Sequence, residues 1–147
     1  MTSLRLPPIY QLGHVVADID KTCDFYTSTF GTGPFNIIEE VDMEGALLRG
    51  KPISTKIKVA FAKSNDVELE FIQPLEGKNL YTEFLKTRGD GIHHLAFMVD
   101  DMNKWKKHFA DKGFEPIFQH DMVVMEFAYF DTSIPGGLML ELLRWKP

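Results

Sequence analysis

Two stretches of this chain carry one pattern at a spacing of 80 residues. From Gly13 the sequence runs GHVVADIDKTCDFYTSTFGTGPF, and from His93 it runs HHLAFMVDDMNKWKKHFADKGFEPIF. Each copy begins with histidine and four apolar or small residues, then passes an Asp-containing turn. Each continues as an amphipathic stretch with aromatics and reaches Gly before a Pro-Phe or Pro-Ile-Phe segment. A second echo closes each copy. Residues 67–75 read VELEFIQPL and residues 138–145 read LMLELLRW, so Leu69-Glu70-Phe71 aligns with Leu140-Glu141-Leu142. A duplicated unit of this size restricts the fold, because each copy must bury its apolar face against the other.

The elements follow from periodicity and punctuation. In the first copy, residues 10–17 alternate as a strand, 19–30 form a helix, and 35–42 return as a strand. Residues 55–62 and 66–73 then pair across the KSND turn at 63–66. Asp18 or Asp20 caps the helix and Gly31 ends it. In the second copy, 92–99 is a strand and 102–112 a helix, with Asp100 or Asp101 as cap and Gly113 as stop. Residues 114–120, 124–130 and 138–143 are strands. Each half is therefore βαβββ, and the expected fold class is α+β: two tandem modules, at about 10–75 and 91–145, within one domain spanning 1–147. A short helix at 80–88, closed by Gly89, joins them. The stretch 44–52, with Gly45, Gly50 and Pro52, is expected as a loop and mobile lid.

Histidine and glutamate in the middle of apolar strands need a reason. A buried carboxylate costs several kcal/mol unless it is paired, hydrogen-bonded or bound to a metal. One such residue is ordinarily a strand residue on a solvated face. Here the oddity occurs twice, at matching places of a duplicated unit, each time with a matching histidine. The set His14, Glu70, His94 and Glu141 supplies two nitrogens and two oxygens for one divalent ion, with Zn, Co, Ni, Mn or Fe all compatible. Alternation along a strand puts His93 and His94 on opposite sides, and the repeat selects His94. Glu68 and Glu70 share a face, and the repeat again decides for Glu70. His120 has no twin in the first copy and His108 sits on the helix, so both are assigned to structure or surface. Glu126 is a weaker candidate for a base.

Composition excludes several classes. The chain has 147 residues, 44 % of them hydrophobic, with twelve phenylalanines, which suffices for a packed interior. Its net charge of −5 is unlike a nucleic-acid-binding footprint, and the basic run KWKKH lies on a helix face. Cys23 is the single cysteine, so no intramolecular disulfide forms, which suits a reducing compartment. No apolar run reaches the ~18 residues needed to span a bilayer, and the first residues lack a signal-peptide pattern. The expectation is a soluble cytoplasmic protein with a small-molecule substrate and neither a nucleic acid nor a membrane as partner.

The segments GHVVADIDKTCDFYTSTFG, KVAFAKSNDVELEFIQPLEG, EFLKTRGDGIHHLAFMVDDM and GGLMLELLR resemble the vicinal oxygen chelate superfamily. That group includes glyoxalase I, methylmalonyl-CoA epimerase, extradiol dioxygenases and thiol-transferring antibiotic-resistance proteins. The resemblance runs from about Leu12 to Trp145 and is strongest to methylmalonyl-CoA epimerases. It implies two βαβββ modules in an open U-shaped mixed sheet around a metal held by His14, Glu70, His94 and Glu141, and a homodimer. It implies an isomerase or epimerase, or alternatively a glyoxalase I-type lactoylglutathione lyase, that enolises a carbonyl substrate bound through two oxygens, with Glu141 as the catalytic base. A third implied role is a non-catalytic small-molecule-binding or resistance protein. The chain departs from the epimerases in TKIKVAFAK at 55–63, which offers Lys56 and Lys58 where they are thought to carry a base. Its FGTGPF segment is closer to glyoxalase-like members.

Overall fold

The computed structural model describes residues 4–147. The strands are β1 (Gln11–Val15), β2 (Asn36–Asp42), β3 (Ala46–Leu48), β4 (Lys51–Ile53), β5 (Lys56–Ser64), β6 (Val67–Glu76), β7 (Gly91–Met98), β8 (Pro116–Asp121), β9 (Met125–Phe130) and β10 (Met139–Trp145). They form one mixed sheet in the order β2-β5-β6-β1-β7-β10-β9-β8-β3-β4. The first strands of the two halves, β1 and β7, lie antiparallel at its middle. Each runs parallel to the last strand of its own half, β1 to β6 and β7 to β10. This is the expected α+β arrangement of two βαβββ units side by side.

Helices α1 (Ile19–Phe25) and α3 (Met102–Asp111) cross the outer face, one behind each half. Asp18 caps α1 by accepting from the Lys21 amide, and Asp101 caps α3 by accepting from the Lys104 amide. Ile19 and Cys23 of α1 pack on Val16, Ala60 and Phe71. Met102 and Trp105 of α3 pack on Phe97, Phe130 and Leu142. Because side chains alternate, the same strands also feed the inner face. There Ile57 and Val59 of β5 share one cluster with Phe118 of β8, Phe127 of β9 and Leu143 of β10. Residues from opposite arms of the sheet can meet only if the sheet curls, so the ten strands make an open half-barrel whose concave side is a cup.

Helix α2 (Leu80–Arg88) connects the halves and packs Leu80 and Tyr81 into the inner cluster. Asn79 caps it with a reciprocal capping box to Thr82. The fully buried Asn79 side chain also donates to Thr55 Oγ1 at 2.7 Å, and Thr55 Oγ1 donates to the Glu76 carbonyl at 2.7 Å.

One expectation needs correction. Residues 44–52 are not a loop: they contain most of a β-hairpin, β3–β4, that leaves the first half and adds to β8 at the far edge of the second. Arg49 and Gly50 both have positive φ, 49° and 80°, as the tight two-residue turn between twisted strands requires. Pro52 fits because β4 is an edge strand, where a missing donor costs no ladder bond. The segment therefore straps one arm of the half-barrel to the other, with Met43 and Ala46 buried in the inner cluster.

Candidate metal centre

Glu70 on β6, His94 on β7 and Glu141 on β10 point into the cup from its central strands. One ligand atom from each lies within 4.8 Å of the others. His94 Nε2 is 3.2 Å from Glu70 Oε1 and 3.2 Å from Glu141 Oε1. The expectation that His14 joins them is not met. Gln11 and Gly13 face the cup in a regular β1, so alternation turns His14 to the outer face. Its ring meets Phe71 edge-on at 5.4 Å and Tyr26 at 6.3 Å, and its Nδ1 is buried with no hydrogen-bond partner. Burial lowers its pKa, so it is a neutral, packed histidine.

The place expected for His14 is taken by Gln11. Gly13 is paired laterally with Glu70, and Ala96 with Glu141. Equivalent positions are thus 83 residues apart rather than 80, and the counterpart of His94 is Gln11. The Gln11 side chain donates to Glu68 Oε1 at 2.8 Å, which leaves its Oε1 facing His94 Nε2 at 3.4 Å. A signal for Gln11 was present in the sequence. Counting back from the capping aspartates, Gln11 precedes Asp18 by the same interval that His94 precedes Asp101.

His93 also departs from simple alternation. Gly13 pairs with His94 and His14 with Ile92, so His93 is the extra residue of a β-bulge. The bulge turns both imidazoles the same way, and their Nδ1 atoms are 2.9 Å apart. His93 is walled in by Tyr81 and Phe84 of α2 and by Tyr129. Burial, with the nearby His94 and Arg88, lowers its pKa to about 3, so it stays neutral and accepts a hydrogen bond from His94. That contact fixes the His94 ring with Nε2 toward the carboxylates.

The electrostatics suit a cation. Burial disfavours a charged His94, but the carboxylates of Glu141 and Glu70 close to its Nε2 outweigh this and raise its pKa to about 9. Burial raises the pKa of Glu70. Three oxygens converge on a nitrogen that carries at most one proton, and Glu70 Oε1 is left without a hydrogen bond. A divalent ion among Gln11 Oε1, Glu70, His94 Nε2 and Glu141 would satisfy what one proton cannot. One imidazole with oxygen donors suits hard or borderline ions.

Gln11, Glu70 and Glu141 line the base of a cavity of about 430 Å³ between the arms, with His94 fully buried behind them. Its walls are largely apolar, among them Val59 and Phe61 of β5, Phe127 of β9, Leu143 and Trp145 of β10, and Met43 of the strap. The inward positions of β5 carry no carboxylate; Lys58 points outward to Asp20 and Glu39 at 3.1 and 3.2 Å. Glu126 also faces away from the cup and pairs with Arg144 at 3.3 Å.

A half-barrel of paired βαβββ units with acidic and imidazole side chains at its centre is consistent with the vicinal oxygen chelate fold. Residues 10–129 match the model of the Glyoxalase/Bleomycin resistance protein/Dioxygenase superfamily, and the chain belongs to that family. It is 33 % identical to the uncharacterized protein YqjC of Bacillus subtilis (strain 168), over 62 % of this chain and 67 % of that one. In fold it is similar to methylmalonyl-CoA epimerase from Mycobacterium tuberculosis, with 19 % identity, a TM-score of 0.72, and coverage of 100 % of this chain and 93 % of that one. It is likewise similar to a single-residue variant of Streptomyces coelicolor methylmalonyl-CoA epimerase in complex with 2-nitronate-propionyl-CoA, with 22 % identity, a TM-score of 0.74, and coverage of 97 % and 100 %. At these identities the likeness to solved structures is one of fold. Among the described residues no helix is long and apolar enough to cross a membrane.

Proposed function

We propose that this protein is a divalent-metal-dependent isomerase or lyase that enolises a carbonyl substrate bound through two oxygens. The observation that carries this reading is the convergence of Glu70, Glu141 and Gln11 oxygens on His94 Nε2 at the base of an apolar cavity, with Glu70 Oε1 unsatisfied. Gln11, Glu70, His94 and Glu141 would hold the ion, which supplies Lewis-acid stabilisation of the negative charge that grows on a substrate oxygen.

The chain supplies the rest. Glu68 holds the Gln11 amide so that its oxygen faces the centre, and His93 holds the His94 ring. The apolar walls exclude water, which strengthens every charge interaction inside. Glu141, buried beside His94, is the base that takes the substrate proton. The epimerase form of this reading is supported by the fold neighbours, one of which is a methylmalonyl-CoA epimerase in complex with methylmalonyl-CoA and NH4+. The inward face of β5, bearing Ile57, Val59 and Phe61 and no acid, favours the glyoxalase-type alternative, in which one base moves a proton between adjacent carbons.

Elemental analysis of protein purified without chelator tests the metal. The expected content is close to one ion per chain, lost in His94→Ala and retained in His14→Ala. The reaction is tested by NMR of α-proton exchange in deuterium oxide, using methylmalonyl-CoA, the methylglyoxal–glutathione adduct and the uncharged hydroxyketone benzoin. Exchange from at least one, abolished by Glu141→Gln, is expected. A loaded protein that exchanges none of them is a binding module instead.

A further inference from the structure

We infer that the substrate is uncharged and largely apolar away from its two metal-facing oxygens, so that neither a coenzyme A dicarboxylate nor a glutathione adduct is the natural ligand. The inference rests on the reading above for the metal-facing oxygens and on the cavity for everything else.

Among the described residues that line the cavity there is no lysine or arginine. Its charged lining residues, Glu68, Glu70 and Glu141, are all acidic. Family-type anionic substrates need a counter-charge, and the cations of the surrounding strands are engaged elsewhere. Lys58 pairs with Asp20 and Glu39 on the outer face, and Lys56 with Glu40 and Glu76. Arg49 is bonded through both terminal nitrogens to Glu83, and Arg144 pairs with Glu126. Lys63 lies at the exposed end of β5 with its Nζ 5.1 Å from the Tyr10 ring centroid, at the rim and not in the wall.

Charge counting points the same way. Glu70 and Glu141 balance a divalent ion, and Glu68 leaves the cavity one unit negative. A second carboxylate or phosphate brought into those walls would lose its hydration and meet like charge, whereas an alkyl or aryl group gains from burial against Ile57, Val59, Phe61 and Leu143. The volume of about 430 Å³ suits a compact ligand, with rings or branched chains stacked on Phe61, Phe127 and Trp145.

The test is equilibrium binding by calorimetry, on zinc-loaded and metal-free protein, of benzoin and of its 4-carboxy analogue. Benzoin carries two vicinal oxygens and two uncharged rings. It is expected to bind about tenfold or more tightly than the carboxylated form. Ile38 lines the cavity from β2 and is 46 % exposed, so Ile38→Lys places a cation in the wall without emptying the core. That variant is expected to shift the preference toward the carboxylated ligand, relative to benzoin, by about tenfold. Equal or tighter binding of the carboxylated form by the unsubstituted protein overturns the inference, as does failure of zinc-loaded protein to bind benzoin. If the protein takes up no zinc yet still prefers benzoin, the metal reading falls and the uncharged-ligand inference stands.

Discussion

Gly13 is where a single missing methyl group makes room for the centre. It lies directly across from His94 in the β1–β7 pair, and a Cβ at that position would overlap the imidazole ring. Its conformation is not one that demands glycine; the demand is space. Gly13→Ala is therefore expected to push His94 off its position between Glu70 and Glu141 and to weaken metal binding at least tenfold. The steric strain should also cost about 1–3 kcal/mol of stability. Metal titration and urea unfolding measure the two effects, and unchanged metal affinity would show that the ring does not need that space. The same residue explains why His14 misled the sequence reading. GHVV beside HHLA invites an alignment on histidine, but with Gly13 facing His94 the alternation of β1 turns His14 outward. Glu70, His94 and Glu141 were legible because apolar strands with lone acids stand out. Gln11 was marked only by its interval to the capping Asp18, since a glutamine at the start of a strand carries no such contrast.

At the level of elements, the two βαβββ units, their capping aspartates and the connecting helix were readable from periodicity and turn residues. What escaped depended on pairing. A bulge is a property of two strands in register, so the shared direction of His93 and His94 cannot be seen in either strand alone. The hairpin of β3 and β4 was hidden because Gly45, Gly50 and Pro52 read as loop punctuation until an edge strand is available to receive them. The cap of α2 escaped for a similar reason. Asn79 looks like an ordinary polar residue before a helix, yet it is fully buried and ties the helix start to Thr55. Asn79→Ala removes the cap and strips a buried Thr55 hydroxyl of one partner. It is expected to cost about 2 kcal/mol or more in urea unfolding, above what an exposed cap usually contributes. A loss under about 0.5 kcal/mol would mean that water replaces the amide at no cost.

Over the whole molecule, the cup exists because two arms of one sheet are held facing each other, and the strap from β2 through β4 spans them. Two contacts could hold that strap. One is the bidentate pair from Arg49 to Glu83, at 2.9 and 2.8 Å, whose side chains are 57 % and 43 % exposed. The other is burial of Met43, 2 % exposed, among Ile57, Phe118, Phe127 and Leu143, which come from both arms. Magnitudes decide between them. An exposed ion pair contributes at most about 1 kcal/mol, because water screens it and two long side chains must be ordered to make it. Truncating a buried methionine removes its transfer energy and leaves a cavity, at about 2–5 kcal/mol. Arg49→Ala is thus expected to change unfolding free energy by under about 1 kcal/mol, and Met43→Ala by at least about 2 kcal/mol. Because Met43 also lines the ligand cavity, its truncation should weaken benzoin binding while Arg49→Ala leaves it unchanged. The reverse order would mean that the arms are clamped from outside, by charge at the hairpin turn, and that the interior of the cup follows rather than sets their separation.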